Sequence, residues 1–93
     1  MTPNITHDRE RRRFETLVEG ETAVLDYALE RNKMIILHVI VPDAIGGRGV
    51  AGTLTQAAFE SARADGLRVV PQCPFAASYA HKHPEYADLV VDS

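Results

Sequence analysis

Apolar and polar positions alternate with period two over residues 22–30 (TAVLDYALE), where Ala23, Leu25, Tyr27 and Leu29 fall on one side and Thr22, Asp26 and Glu30 on the other. That alternation predicts a strand with one face in a core. Residues 12–18 (RRFETLV) predict a strand before it, joined through a turn at Glu19-Gly20, and residues 34–41 (MIILHVIV) predict one after it, joined through Arg31-Asn32-Lys33. The third run is apolar on both faces, the pattern of a central strand covered on both sides, and Pro42 ends it because it has no amide to give to a ladder. The period then lengthens. Val50, Leu54, Ala58 and Ala62 recur at i, i+4, i+8 and i+12, predicting a helix from about Gly49 to Asp65 that stops at Gly66. Residues 67–72 (LRVVPQ) predict a short strand. Residues 75–82 predict a short helix with Pro74 near its first turn, and residues 84–88 one more turn. Residues 1–10 read as a loose polar lead-in.

Strands joined by tight turns make an antiparallel meander. Residues 34–72 have the size of a β-α-β crossover, which makes its two strands parallel and right-handed. The expected fold is therefore α+β: a small mixed sheet in the order β-β-β-α-β-α, one domain over residues 1–93. The parallel pair sets the glycine-rich segment after residue 42 and Cys73 at the same sheet edge, where ligands of α/β folds bind.

With 93 residues, 45% hydrophobic and 25% charged, the chain has the composition of a small globular domain with a thin core. A formal net charge of −3 supplies no field for phosphate backbones, so nucleic acid is not the expected partner. The run Arg9-Glu10-Arg11-Arg12-Arg13 reads as the solvated start of an edge strand. Cys73 is the single cysteine, which excludes an internal disulfide; the N-terminus shows no apolar h-region, and the run 34–41 is too short to cross a bilayer. These features predict a cytoplasmic protein with no membrane association.

The segment Val41-Pro42-Asp43-Ala44-Ile45-Gly46-Gly47-Arg48-Gly49-Val50-Ala51-Gly52-Thr53-Leu54 runs from strand through glycines into a helix. Glycines admit close backbone approach and positive φ, and the first amides of a helix together with its dipole attract an anion. Arg48 adds a candidate charged contact. A tight turn and a phosphate loop both fit these glycines. The spacing is neither the dinucleotide fingerprint nor a P-loop.

Gly46-Gly47-Arg48-Gly49-Val50-Ala51 resembles the [RQ]-x-x-G-x-[GA] motif of the GNAT superfamily of N-acetyltransferases, which follows a strand ending in V-P. Gly47, Gly49 and Ala51 occupy its small-residue positions, and Gly46 stands where Arg or Gln is usual. The similarity extends through A-R-x-x-G-L-x-V-x-P-x-C-P-F (residues 62–75) and His83-Pro84-Glu85-Tyr86 to a subgroup of very small GNAT-like proteins, covering roughly residues 12–90. The resemblance implies a minimal GNAT fold whose central parallel strands splay to admit the pantetheine arm of acetyl-CoA. Backbone at Val39, Ile40 and Val41 would pair with the arm, and residues 46–52 (Gly46, Gly47, Arg48, Gly49, Val50, Ala51 and Gly52) would hold the pyrophosphate. Ser78, Tyr79 and Lys82 would flank the arm. It further implies acetyl transfer from acetyl-CoA, as co-substrate, to an amine of a small molecule or protein. The alternative is a non-catalytic coenzyme A-binding or protein-interaction module, in either case as a monomer or homodimer.

Such a transfer needs a proton acceptor for the amine and a donor for the thioester oxygen. The resemblance implies a backbone N–H at Val39 or Val41 as that donor. Imidazole as a side-chain type suits proton transfer, so His38 is the candidate base, expected on the same strand face as Met34, Ile36 and Ile40; a buried core histidine with no chemical task fits the same position. Cys73 at the ligand edge is either an acyl-accepting nucleophile, assisted by His38, or a small half-buried residue. His81 and His83 lack a paired cysteine and read as a solvated helix cap, so no metal is expected. Tyr79 and Tyr86 read as packing or cleft-wall residues.

Overall fold

The structure, a computed structural model, describes residues 4–92. It holds five strands, β1 (Ile5–Asp8), β2 (Arg13–Val18), β3 (Glu21–Glu30), β4 (Lys33–Ile40) and β5 (Arg68–Pro71), with helices α1 (Val50–Ala64) and α2 (Pro74–Lys82). Short 3-10 turns occupy Asp43–Ile45 and Pro84–Tyr86. The strands lie in sequence order; β1 to β4 are antiparallel and β4 pairs β5 in parallel. This is the expected mixed sheet with one strand more than expected.

That strand is β1, drawn from residues read as a lead-in, of which residues 1–3 lie outside the described residues. Its pattern is short and polar, and what holds it is pairing. His7 faces Phe14, stacks on its ring at 3.9 Å and shares a hydrogen bond with the Tyr27 hydroxyl, Nε2 to oxygen at 2.6 Å. The Thr16 hydroxyl donates to the Asn4 carbonyl at 2.7 Å. β2 is therefore an interior strand, not the edge that its arginines suggested. Its turn into β3 uses Glu19 (φ 48°) and Gly20 (φ 80°), two left-handed residues in sequence, the arrangement that matches strand twist in a two-residue hairpin.

The core lies between one sheet face and the two helices. Val50, Leu54, Ala58 and Ala62 are all buried, and Phe59 joins them with no exposed surface. They pack on Phe14, Leu25, Tyr27, Met34, Ile36 and Val69. α1 ends in a Schellman arrangement: Leu67 N–H bonds the Ala62 carbonyl at 2.8 Å and Gly66 N–H that of Arg63 at 3.2 Å, with Gly66 at φ 72°. Beyond the second 3-10 turn, the chain returns to the free edge of β5, where Val69 N–H bonds the Leu89 carbonyl and Val91 N–H the Val69 carbonyl, both at 2.9 Å.

β4 differs from a strand buried on both faces. Met34 and Ile36 face the core, but Leu37 is 41% exposed and Ile40 54%. Both helices pack together, through Phe59 against Tyr79, and among the described residues no other α-helix covers the opposite face of the sheet. Leu29 is likewise exposed at the end of β3.

Two outcomes follow. Phe59→Ala empties the centre of the core and is expected to lower unfolding free energy by about 3–5 kcal/mol in urea titrations. Burial pushes the His7 imidazole below its ordinary range, so the folded state favours the neutral ring. Below the ordinary imidazole value of about 6.5 the unfolded chain takes up that proton first, and stability falls as pH is lowered toward the depressed folded value. His7→Gln is expected to flatten the stability profile measured between pH 7 and pH 5.

Candidate active site

The site begins where two parallel strands stop being partners. The β4–β5 register ends at Ile36 opposite Pro71, and a last bond runs from Cys73 N–H to the Ile36 carbonyl at 3.0 Å. Pro71 has no amide, Gln72 N–H turns back to the Val70 carbonyl at 3.0 Å, and Cys73 becomes the N-cap of α2 with Pro74 at its first position. β4 meanwhile continues along β3 to Ile40. Val39, Ile40 and Val41 thus lie beyond the last β5 partner. Cys73 is buried, 6% exposed, at the root of this parting.

The parting leads to the start of α1. A cavity of about 260 Å³ is lined there by Val41 and Ile45, Gly46, Gly47, residues 49–52 and Phe75. Gly49 caps the helix at φ 78° and carries no side chain to bond the first-turn amides; Gly47 is left-handed as well, at φ 77°. No protein atom lies within 4 Å of where a Cβ on either residue would sit. The amides of Val50, Ala51 and Gly52 stand at the positive end of the helix dipole beside a concave wall of backbone, which suits an anion. Asp43–Ile45 shapes the approach, with Ile45 buried beneath the loop. Arg48 reaches back to the Glu19 carboxylate in the β2–β3 turn. Both side chains are exposed, so the cation sits beside the loop.

α2 forms the other wall. Phe75, Tyr79 and Lys82 follow one another at helical spacing with Ser78 beside them. Phe75 lines the cavity, and a Cβ on Gly52 would meet the Tyr79 ring at 3.7 Å, an ordinary van der Waals contact, so the two helices lie close at this point. Tyr79 is half-buried, stacked on His83 at 4.0 Å and edge-on to Phe59. Burial pushes its phenol up, which keeps it a hydroxyl donor. Ser78 and Lys82 are exposed.

His38 does not share the face of Met34 and Ile36. A bulge intervenes: Tyr27 pairs with Ile36 and Asp26 with His38, leaving Leu37 as the extra residue. One inserted residue reverses the side-chain parity of everything after it. Val39 then turns to the core opposite Leu25, and His38 and Ile40 emerge on the helix-free face. There His38 Nε2 lies 2.7 Å from Asp26 Oδ2, and Arg13 holds the same carboxylate, Nε to Oδ1 at 2.6 Å and Nη2 to Oδ2 at 3.2 Å. The Arg13 guanidinium, with His38 beside it, keeps the Asp26 carboxyl below its ordinary range.

Arg13 and Asp26 went unrecognised in the sequence. The available signal was an acid in the middle of an alternating strand, but its partners depend on register. His81 and His83 do not converge: His83 stacks on Tyr79 and its Nδ1 lies 3.3 Å from Glu85. Among the described residues no group of three His, Cys, Asp or Glu side chains has a metal-binding arrangement. Tyr86 is buried, donates to Glu60 at 2.5 Å and is pushed up to about 12 by burial and that carboxylate, so it is structural.

Known proteins share this plan. Residues 13–89 match the family model described as GCN5-related N-acetyl-transferase. The chain is 35% identical to Protein NATD1 of Xenopus tropicalis over 83 residues, covering 86% of this chain and 76% of that protein. It is 34% identical to Protein NATD1 of Homo sapiens, covering 86% and 74%. The solution structure of a GCN5-like protein from Staphylococcus aureus superposes with a TM-score of 0.76 at 26% identity, covering 99% of this chain and 91% of that one. With a family model spanning residues 13–89 and a sheet that parts beside a glycine-lined helix start, the chain belongs to the GCN5-related N-acetyltransferase family.

Proposed function

We propose that the protein binds acetyl-CoA in the parting between β4 and β5 and transfers the acetyl group to an amine. The observation that carries this reading is the continuity of that parting with the glycine-lined cavity at the start of α1. The residues fit the group: backbone of residues 46–52 suits the pyrophosphate, the unpaired edge of Val39, Ile40 and Val41 suits the amides of pantetheine, and Phe75, Ser78, Tyr79 and Lys82 flank the arm. When bound, acetyl-CoA supplies the reactive thioester.

This chain's own residues would do the rest. A β4 amide at Val39 or Val41, beyond the last β5 partner, would donate to developing negative charge. His38 would accept the amine's proton from the face opposite the helices. Cys73 sits at the root of the cleft, where an acetyl group passed to sulfur and then to the amine is the covalent variant of the same transfer.

The open sheet face favours a second reading, a coenzyme A-binding module without turnover, because the described residues supply no helical wall on the side where an acceptor would rest.

Calorimetric titration with acetyl-CoA is expected to saturate at one equivalent; no heat at millimolar coenzyme would refute both readings. Gly49→Ala places a methyl group and a strained φ at the loop and is expected to weaken binding about tenfold or more, roughly 1.4 kcal/mol, with cooperative unfolding retained. In acetylation assays over a panel of small amines and lysine peptides, His38→Ala is expected to reduce kcat about 100-fold. Turnover lost in that variant or in Cys73→Ala rules out the inert module. Intact-mass analysis after mixing with acetyl-CoA separates direct from covalent transfer by an acetyl adduct that Cys73→Ala abolishes.

A further inference from the structure

The bulge at Leu37 does more than turn His38 outward. It sets the imidazole against a carboxylate that already has a partner, so three side chains from three adjacent strands form one array on the helix-free face: Arg13 on β2, Asp26 on β3 and His38 on β4. Asp26 is largely buried, with 19% of its side chain exposed, whereas His38 is 50% exposed. The carboxylate is the fixed member and the imidazole the accessible one.

We infer that Asp26 and Arg13 are positioning residues that hold His38 in its Nε2–H tautomer, leaving Nδ1 as the proton acceptor for an amine arriving over the open face of the sheet. This rests on the acetyl-transfer reading above for its purpose, but not for its geometry.

Three steps lead to it. Arg13 binds Asp26 through two nitrogens, which fixes the carboxylate plane and keeps it ionised. An ionised carboxylate only accepts hydrogen bonds, so a contact of 2.7 Å between Oδ2 and Nε2 requires the hydrogen on Nε2. A neutral imidazole with Nε2–H has its lone pair on Nδ1. The attacking amine gives its proton to that lone pair as its nitrogen bonds to the acetyl carbon and the carbon–sulfur bond breaks. The released thiolate takes up a proton, and the imidazolium gives up the one it received, either to that thiolate or to solvent, which returns the array to its starting state. Arg13 never meets substrate; it acts through Asp26, and Asp26 through His38.

A two-part experiment tests this on the full chain. Long-range ¹⁵N–¹H correlation spectra of the protein, at a pH where His38 is neutral, are expected to show a protonated Nε2 and an unprotonated Nδ1. Asp26→Ala is expected to collapse that pattern toward the averaged shifts of a free imidazole. A wild-type His38 protonated on Nδ1, or a tautomer unchanged in Asp26→Ala, overturns the inference whether or not the protein turns over.

In the acetylation assay Asp26→Asn, close in shape, is expected to lower kcat about 30-fold or more while the KM for acetyl-CoA stays within about twofold. Asp26→Glu is expected to recover part of the loss, and Asp26→Asn is expected to add little to His38→Ala. Full kcat in Asp26→Asn overturns the positioning role. If Asp26→Ala fails to fold, Arg13→Met and Asp26→Asn supply the same spectra. The failures remain distinguishable: a protein that binds acetyl-CoA but acetylates no amine loses the transferase reading, while the tautomer spectra still decide the array.

Discussion

Everything functional in this structure depends on two parallel strands being paired for half their length and parted for the rest. The last tie is the bond from Cys73 N–H to the Ile36 carbonyl. Beyond it β4 has four more residues of strand and β5 has none. Backbone groups on that edge of β4 have no β5 partner, and a strand-like ligand is one kind of group that can pair with them. The local chemistry enforces the gap. Pro71 offers no amide, Gln72 folds back on Val70, and Cys73-Pro74 starts a helix where a strand would otherwise continue.

The same economy explains the glycines. A side chain at 49 would strain a left-handed cap; a methyl group at 52 would meet the Tyr79 ring at an ordinary van der Waals distance of 3.7 Å. Arg48, the one charged residue among them, is tied to Glu19. In the proposed reading, recognition at this corner would fall to main-chain amides, with Gly46 standing where the family motif has Arg or Gln.

Much of this was legible in the sequence because it rests on local signals. The helical period of Val50, Leu54, Ala58 and Ala62, the stop at Gly66 and the breaks at Pro42 and Pro71 each act within a few residues. Three features were not legible because they are made by pairing. β1 has one aliphatic residue, and its inward histidine counts as polar until Tyr27 and Phe14 are found beside it. The bulge leaves no mark in MIILHVIV, where every position but His38 is apolar and a shift of parity changes nothing visible. The third is the helix-free face. An apolar run says that both faces are greasy, but whether a helix covers each depends on how many helices the chain has, and both of these pack on one side.

One sheet face is left open, and the two α-helices of the described residues cover the other, which also receives Ile45, Tyr86 and Leu89. The C-terminal segment adds its support there too. Arg63 clamps Asp88 through two nitrogens at 3.1 and 3.2 Å and the Glu85 carbonyl at 2.8 Å, which brings residues 89–91 onto the edge of β5. Edge and inner face are thereby closed, and the outer face keeps exposed Leu17, Leu37 and Ile40 around the Arg13–Asp26–His38 array. In the proposed transfer, an amine would approach the parted strands from that side, where among the described residues no helix stands in its way.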